Sequence, residues 1–256
     1  MVKILDSGEL AGFIKERQAH DVRRLRQAAQ IQPRLALVQI EADSAEKSFL
    51  QSVQEYGADI SVEIEVHTVT EVEAPERLEE LNSEPKVQGI AIVGSVQTEL
   101  RQKVSVAKDV AGQAKNSTFD TPLAVAINWL LAGYNINLPG KLIVVVGESL
   151  EGELLAKMWR NSELDVTVVH ENDEVLIQAI READVIVCNS EQPNLITRDM
   201  VKPEVIIVEA SRGQSCLDET VYQLPNITIT PENEGVEPLK ICALFDNLLR
   251  FARVQL

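Results

Sequence analysis

Short, continuous apolar runs alternate with amphipathic stretches along most of this chain. Leu35–Ile40, Gly89–Val93, Leu142–Val146, Val166–Val169, Val185–Cys188 and Val205–Val208 are rich in β-branched residues and bounded by Gly, Pro or Asp. Runs that do not alternate with polar residues read as strands of a parallel sheet covered on both faces. Between them, Ser44–Tyr56, Ala74–Leu81 and Glu151–Trp159 gather their apolar residues on one helical face. This alternation predicts doubly wound α/β units joined by right-handed crossovers.

The turn-rich stretch Asn135–Gly140 precedes a fresh strand and marks a boundary. The sequence therefore predicts an N-terminal three-layer α/β domain over residues 1–134 and a C-terminal Rossmann-like domain with a parallel sheet over 135–235. The helical stretch Pro122–Leu131 connects the halves. The last segment, 236–256, is strongly helical through Val254 and is expected to pack back on the first domain. A chain of 256 residues with 45% hydrophobic and 25% charged positions can bury a core in each domain. No internal repeat or low-complexity tract interrupts it.

Charge narrows the function classes. With 24 basic against 40 acidic residues the formal net charge is -16, a surface that repels nucleic acid and anionic membranes. The densest basic stretch, Arg23 to Arg26, sits in a mixed-charge helical pattern and reads as a solvated face. The opening Met1-Val2-Lys3-Ile4 turns polar within a few residues, so no secretory signal is expected, and no apolar run is long enough to span a bilayer. Cys188, Cys216 and Cys242 have neither metal-ligand nor disulfide-framework spacing; they read as buried thiols of a reducing, cytoplasmic compartment. His170 reads as a loop residue, and His20 and His67 are equally isolated from partner ligands, so no metal site is expected.

The candidate chemistry lies where the strand ending at Val146 runs into Gly147-Glu148-Ser149-Leu150-Glu151-Gly152 and then a helix. In dinucleotide-binding folds this turn is glycine-rich so that backbone amides approach the pyrophosphate. Gly147, Ser149 and Gly152 are candidate cofactor contacts, although one glycine of the usual pattern is missing and Glu148, Glu151 and Glu153 compete with a phosphate for the helix end. A well-capped helix that holds no ligand fits the same residues. Glu171, just after the next strand, reads first as a solvent-facing loop acid; the alternative is that it bonds a ribose 2′-hydroxyl, which favours NAD over NADP.

Taken in order, further segments resemble the bifunctional methylenetetrahydrofolate dehydrogenase/cyclohydrolase family over essentially the whole chain. Ile4-Leu5-Asp6-Ser7-Gly8 before a long helix resembles that family's first segment, and Lys108-Asp109-Val110-Ala111-Gly112 its Lys-Asp-Val-Asp-Gly motif. Thr121-Pro122 matches a Cys-Thr-Pro turn, and Gly147-Glu148-Ser149 a Gly-Arg-Ser nucleotide loop. Ala183–Val187 continues the series. Thr230-Pro231 through Gly235-Val236-Glu237-Pro238 resembles a Thr-Pro-Val-Pro-Gly-Gly-Val-Gly-Pro signature, which makes Pro231 and Gly235 candidate substrate contacts. The resemblance implies a folate-binding domain facing a Rossmann domain that carries NADP or NAD. It also implies hydride transfer from methylenetetrahydrofolate, hydrolysis of the methenyl form, and dimers built through the Rossmann domain.

Against that family the chain departs at each reacting position. A Tyr-x-x-x-Lys helix, a glutamine and a pterin-gripping aspartate do the family's chemistry. The corresponding helix here reads Ser48-Phe49-Leu50-Gln51-Ser52-Val53 and is about one turn shorter. Counted from the preceding strand, Phe49 and Val53 replace Tyr and Lys; counted back from Gly57, Phe49 replaces the lysine. Lys47 lies two residues away, roughly 200° around the helix. Val93 stands at the glutamine position and Ala111 at the aspartate. Glu148 reverses the charge of an arginine that meets the 2′-phosphate of NADP. The glycine after Cys188 is replaced within Asn189–Pro193, and Glu232, Asn233, Glu234 and Glu237 crowd a loop that is glycine-rich in the family.

No catalytic residue of the family is therefore retained, and three readings follow. The chain is an inactive relative with a binding, regulatory or assembly role, as a homodimer or paired with an active relative. Alternatively it is an NAD-dependent dehydrogenase without cyclohydrolase chemistry, or a sensor that takes folate or another small molecule in the old cleft.

Overall fold

A computed structural model describes residues 2–41, 43–94, 96–211, 213–232 and 234–254. The chain forms two compact units, one comprising Met1–Ala11 with Leu123–Lys240, the other Gly12–Pro122 with Ile241–Leu256. In chain order the elements are β1 (Lys3–Ile4), α1 (Ser7–Ala28), β2 (Arg34–Gln39), α2 (Ser44–Asp59), β3 (Glu63–Thr68), α3 (Ala74–Ser83), β4 (Gly89–Val93), α4 (Thr98–Arg101) and α5 (Pro122–Gly133). They continue with β5 (Leu142–Val146), α6 (Leu150–Asn161), β6 (Asp165–Val169), α7 (Leu176–Glu182), β7 (Val185–Cys188), β8 (Ile206–Glu209), β9 (Thr228–Ile229) and α8 (Glu237–Val254).

The first unit holds a six-stranded sheet in the order β1-β9-β8-β7-β5-β6, every neighbouring pair parallel. Strands β7 and β8 are buried along their whole length, which is why their sequences are continuous Val/Ile runs instead of alternating ones. On one face Val144, Val146, Ile186, Ile207 and Ile229 pack with Leu176 and Ile180. The compact units divide after residues 11, 122 and 240, whereas the sequence places its turn-rich boundary at 135–140. The cause is local bonding: β1 pairs with β9, the Asp6 amide donates to the Tyr134 hydroxyl at 2.8 Å, and the Trp159 indole donates to Asn128 at 2.9 Å. These ties bind the first strand and α5 to the six-stranded sheet.

The second unit holds a three-stranded parallel sheet, β3-β2-β4, with Leu37 paired to Val66 on one side and to Ala91 on the other. Central β2 is enclosed, whereas β3 is an edge strand of half-exposed residues. The alternation Glu63-Ile64-Glu65-Val66-His67 suits an edge, and the Arg34 guanidinium binds both glutamates, at 2.7 and 2.8 Å. From α8, Phe245 is fully buried and stacks on Tyr56 of α2, ring centres 5.0 Å apart. Beside it the Tyr56 hydroxyl lies 2.7 Å from Gln18 Oε1 and 3.2 Å from Cys242 Sγ, and Gln18 Nε2 donates to the Cys242 carbonyl.

Cys188 and Cys216, both fully buried, lie side by side with their Cα atoms 6.5 Å apart, an adjacency across 28 residues that leaves no trace in sequence spacing. Cys242 is a buried thiol in the other unit, next to the Tyr56 hydroxyl. Among the described residues no helix is long and apolar enough to cross a membrane.

Burial pushes the Cys242 thiol up to about 11 from 9.0, the Tyr56 hydrogen bond only partly opposing it. A raised acid pKa means the folded state holds its proton where the unfolded chain releases it. The associated stability is complete below pH 9 and is lost as pH rises toward 11. Replacing Cys242→Ser removes that titration. Urea denaturation at several alkaline pH values should show a shallower loss of stability in the variant than in the wild type over this window.

Candidate functional site

In the six-stranded unit the chain leaves β5 and returns on either side of it as β6 and β7, so a topological switch lies at the carboxyl ends of β5 and β7. Gly147, the first residue past β5, has φ +123°, and a Cβ there would stand 2.2 Å from the carbonyl oxygen of Asn189. The glycine is thus required by the protein's own backbone, where the ends of two neighbouring strands nearly touch. Ser149 caps α6, its hydroxyl accepting the Gly152 amide at 3.0 Å. The same hydroxyl oxygen accepts from Nδ2 of Asn189, which also passes close to Gly152.

Charge around this helix end is mostly negative. Lys240 Nζ pairs with Glu151 at 2.5 Å, while His170 lies 3.6 Å from Glu148 and 3.7 Å from Glu153. Glu171 follows β6, and its Oε1 accepts from the Ser190 hydroxyl at 2.7 Å. The predicted cofactor residues Gly147, Ser149, Gly152 and Glu171 therefore gather at one end of the sheet, joined there by Asn189 and Ser190. Sequence reading saw those two only as lost glycine; an amide and a hydroxyl directly after a buried strand were the signal it left unused. Glu171 and Glu148 make this end of the sheet acidic, and in the turn before α6 the Ser149 oxygen accepts from Gly152 and Asn189 while Gly147 makes room for the Asn189 carbonyl. Among the described residues no group of three or more histidines, cysteines or acids is placed to hold a metal ion.

The loop between β9 and α8 carries Pro231 and Gly235. The Gly235 amide bonds back to the Pro231 carbonyl at 3.3 Å, and the Gly235 carbonyl accepts from the buried Ser7 hydroxyl at 2.7 Å. Asn233 lies outside the described residues. Below this loop sits a group the sequence did not announce: Glu209, buried at the end of β8, accepts from the Ser211 amide at 2.8 Å and the Ser215 hydroxyl at 2.5 Å.

In the three-stranded unit the positions where the family resemblance implies proton chemistry are apolar. Val53 is fully enclosed in the core, Val93 ends β4 at 7% exposure and Ala111 is 8% exposed. Of the two candidates for the lysine position only Phe49 retains accessible surface. Lys47 is exposed in the first turn of α2. Gly94 follows β4 with φ +134°, and a Cβ would fall 1.9 Å from the Ile40 carbonyl oxygen. Arg101 of α4 donates to the Gly94 carbonyl at 3.1 Å and to the side chain of Gln113.

The titratable pair of the Lys108-Asp109 motif is committed to structure. Lys108 Nζ donates to the carbonyls of Leu81 and Glu84 at 3.0 and 2.7 Å, and burial lowers its pKa. Asp109 Oδ2 accepts the Ala114 amide at 2.7 Å while burial raises its pKa against those backbone bonds.

Residues 121–256 match the model of the tetrahydrofolate dehydrogenase/cyclohydrolase NAD(P)-binding domain. The bifunctional protein FolD of Macrococcus caseolyticus is 27% identical over 98% of this chain and 98% of its own length. Among solved structures, the bifunctional FolD methylenetetrahydrofolate dehydrogenase/cyclohydrolase of Campylobacter jejuni superposes with a TM-score of 0.91 at 24% identity, covering 100% of both chains. That of Trypanosoma brucei, solved with NADP and an inhibitor, gives 0.90 at 18% identity over 99% of this chain and 98% of that one. These likenesses show the shared fold.

Two substitutions separate backbone need from ligand need at the β5 turn. Gly147→Ala should destabilise the protein by about 3 kcal/mol or more, because the added carbon meets backbone at a positive φ. Ser149→Ala should cost about 1 kcal/mol as a lost helix cap. Equilibrium urea denaturation measures both. Unchanged stability in Gly147→Ala would reassign the glycine to a ligand.

Proposed function

We propose that this chain, which belongs to the tetrahydrofolate dehydrogenase/cyclohydrolase family, has given up the family's proton-transfer chemistry and serves as a binding, regulatory or assembly protein. One observation carries the reading. The candidate positions for the lysine, glutamine and aspartate hold Phe49 or Val53, Val93 and Ala111, and Val53, Val93 and Ala111 are packed into the unit's interior. Hydrolysis of a methenyl-type substrate needs a group that takes a proton from water and returns it. An apolar side chain offers none, and the neighbouring Lys108 and Asp109 are tied to backbone groups. Substituting a lysine for Val53 would not restore the base, since an unpaired ammonium in that core costs several kcal/mol.

A positioned acid or base contributes about 10²- to 10⁴-fold. Purified protein should therefore turn over methylene- and methenyltetrahydrofolate at least about 10³-fold more slowly than an active relative under the same conditions, followed by absorbance. Steady turnover within tenfold of that relative would overturn the proposal.

The arrangement at Glu171 favours a second reading, an NAD-dependent dehydrogenase without cyclohydrolase activity. Hydride transfer rests on alignment of cofactor and substrate more than on a protein base. When bound, the dinucleotide would supply the hydride acceptor; Glu171 would hold the ribose diol, and Ser149 would face the phosphates from the start of α6. Under either reading the six-stranded unit prefers NAD to NADP, because Glu171 and Glu148 oppose a 2′-phosphate. Calorimetry with NAD, NADP and tetrahydrofolate in separate runs tests this. Binding of NAD at micromolar strength with NADP silent supports the preference, and equal binding of the two dinucleotides removes it. Silence from all three leaves the assembly role alone.

That role requires a partner, which we place on the six-stranded unit as a second copy or an active relative. Leu142, Val175 and Ala179 line a shallow groove next to edge strand β6, and Leu142 and Val175 are 43% and 55% exposed.

A further inference from the structure

We infer that Ser190 is the positioning residue that makes the six-stranded unit selective for a ribose bearing a free 2′-hydroxyl; the inference rests on the nucleotide preference proposed above. Ser190 is 1% exposed and follows β7, nineteen residues beyond Glu171. A serine hydroxyl has one proton to give and two lone pairs to offer. Here the Gln192 amide donates to the oxygen at 3.0 Å, and the proton goes to Glu171 Oε1 at 2.7 Å. Both ends of the hydroxyl are thereby fixed, and the carboxylate is fixed with them.

Glu171 itself is partly exposed at the end of β6. Among the described residues no protein donor is recorded at its second oxygen. A carboxylate held by one oxygen presents the other as an acceptor at a set position, which matches a sugar hydroxyl that must donate. A phosphate monoester at the same carbon has no proton to give near neutral pH and meets a fixed negative charge instead. Without the Ser190 bond the Glu171 side chain could swing into solvent, and both the attraction and the repulsion would fade.

The two effects act in opposite directions on two ligands, so selectivity reports on positioning while overall affinity reports on the fold. Wild type, Ser190→Ala, Ser190→Thr and Glu171→Gln are compared by calorimetry with adenosine, NAD and NADP, after thermal melts establish that each variant is folded. Ser190→Ala should narrow the NADP-to-NAD ratio of dissociation constants roughly tenfold, the worth of one hydrogen bond to a charged group. Ser190→Thr, which keeps the hydroxyl, should restore much of it, and Glu171→Gln should narrow the ratio at least as far as Ser190→Ala. A ratio unchanged in Ser190→Ala, with Glu171→Gln narrowing it, overturns the role of Ser190 and leaves the nucleotide preference intact. A wild type that binds none of the three ligands overturns both.

Discussion

Both sheets of this protein depend on one constraint, a backbone carbonyl lodged where a side chain would begin. In the six-stranded unit the Asn189 carbonyl sits 2.2 Å from the Cβ that Gly147 lacks; in the three-stranded unit the Ile40 carbonyl sits 1.9 Å from the Cβ that Gly94 lacks. In each case the two residues directly follow neighbouring parallel strands, β5 with β7 and β2 with β4. Parallel strands that end side by side must turn away together, and a φ beyond +120° at the glycine lets the first chain turn without pushing the second aside. Hydrogen bonds from the Asn189 amide to Val146 and from the Ile40 amide to Val93 hold the pairs at that spacing.

The constraint sorts the glycines that survive from those that were replaced. Gly147 and Gly94 answer to the protein's own backbone, so losing them would damage folding whatever the chain binds. Ser190, in the segment where the family resemblance places a lost glycine, and Glu234, opposite a glycine of the signature, do not sit at a positive φ. At the positions to which the family resemblance assigns polar chemistry, Val53, Val93 and Ala111 are buried apolar residues. Under the reading proposed above, the fold keeps what holds it together and exchanges what the resemblance assigns to ligands.

That distinction also explains what the sequence could tell. The runs at Gly89–Val93, Leu142–Val146 and Val185–Cys188 coincide with β4, β5 and β7, because strands buried on both faces leave an unbroken apolar record. Strand β3 did not, since an edge strand with Glu63 and Glu65 on one side and Ile64 and Val66 on the other imitates a polar linker. The two-residue strands β1 and β9 are too short to carry a pattern and exist through their pairing with each other and β8. The unit boundaries were hidden because two of them fall inside α1 and α8, where helical periodicity runs on unchanged. At the candidate site the individual residues were legible, but the bonds Ser149–Asn189 and Glu171–Ser190 span 40 and 19 residues and are products of the sheet order.

The remaining question at the nucleotide end is which part of a ligand the site still favours, and charge decides it. A helix amino terminus offers about half a unit of positive charge. Around the start of α6 stand Glu148, Glu151 and Glu153, of which Glu151 is answered by Lys240. Two carboxylates with His170 between them oppose the positive helix end, so the charge at this turn is unfavourable to an anion. Under the nucleotide preference proposed above, Glu171 is then the group of favourable sign, and the ribose, not the pyrophosphate, would carry the contact.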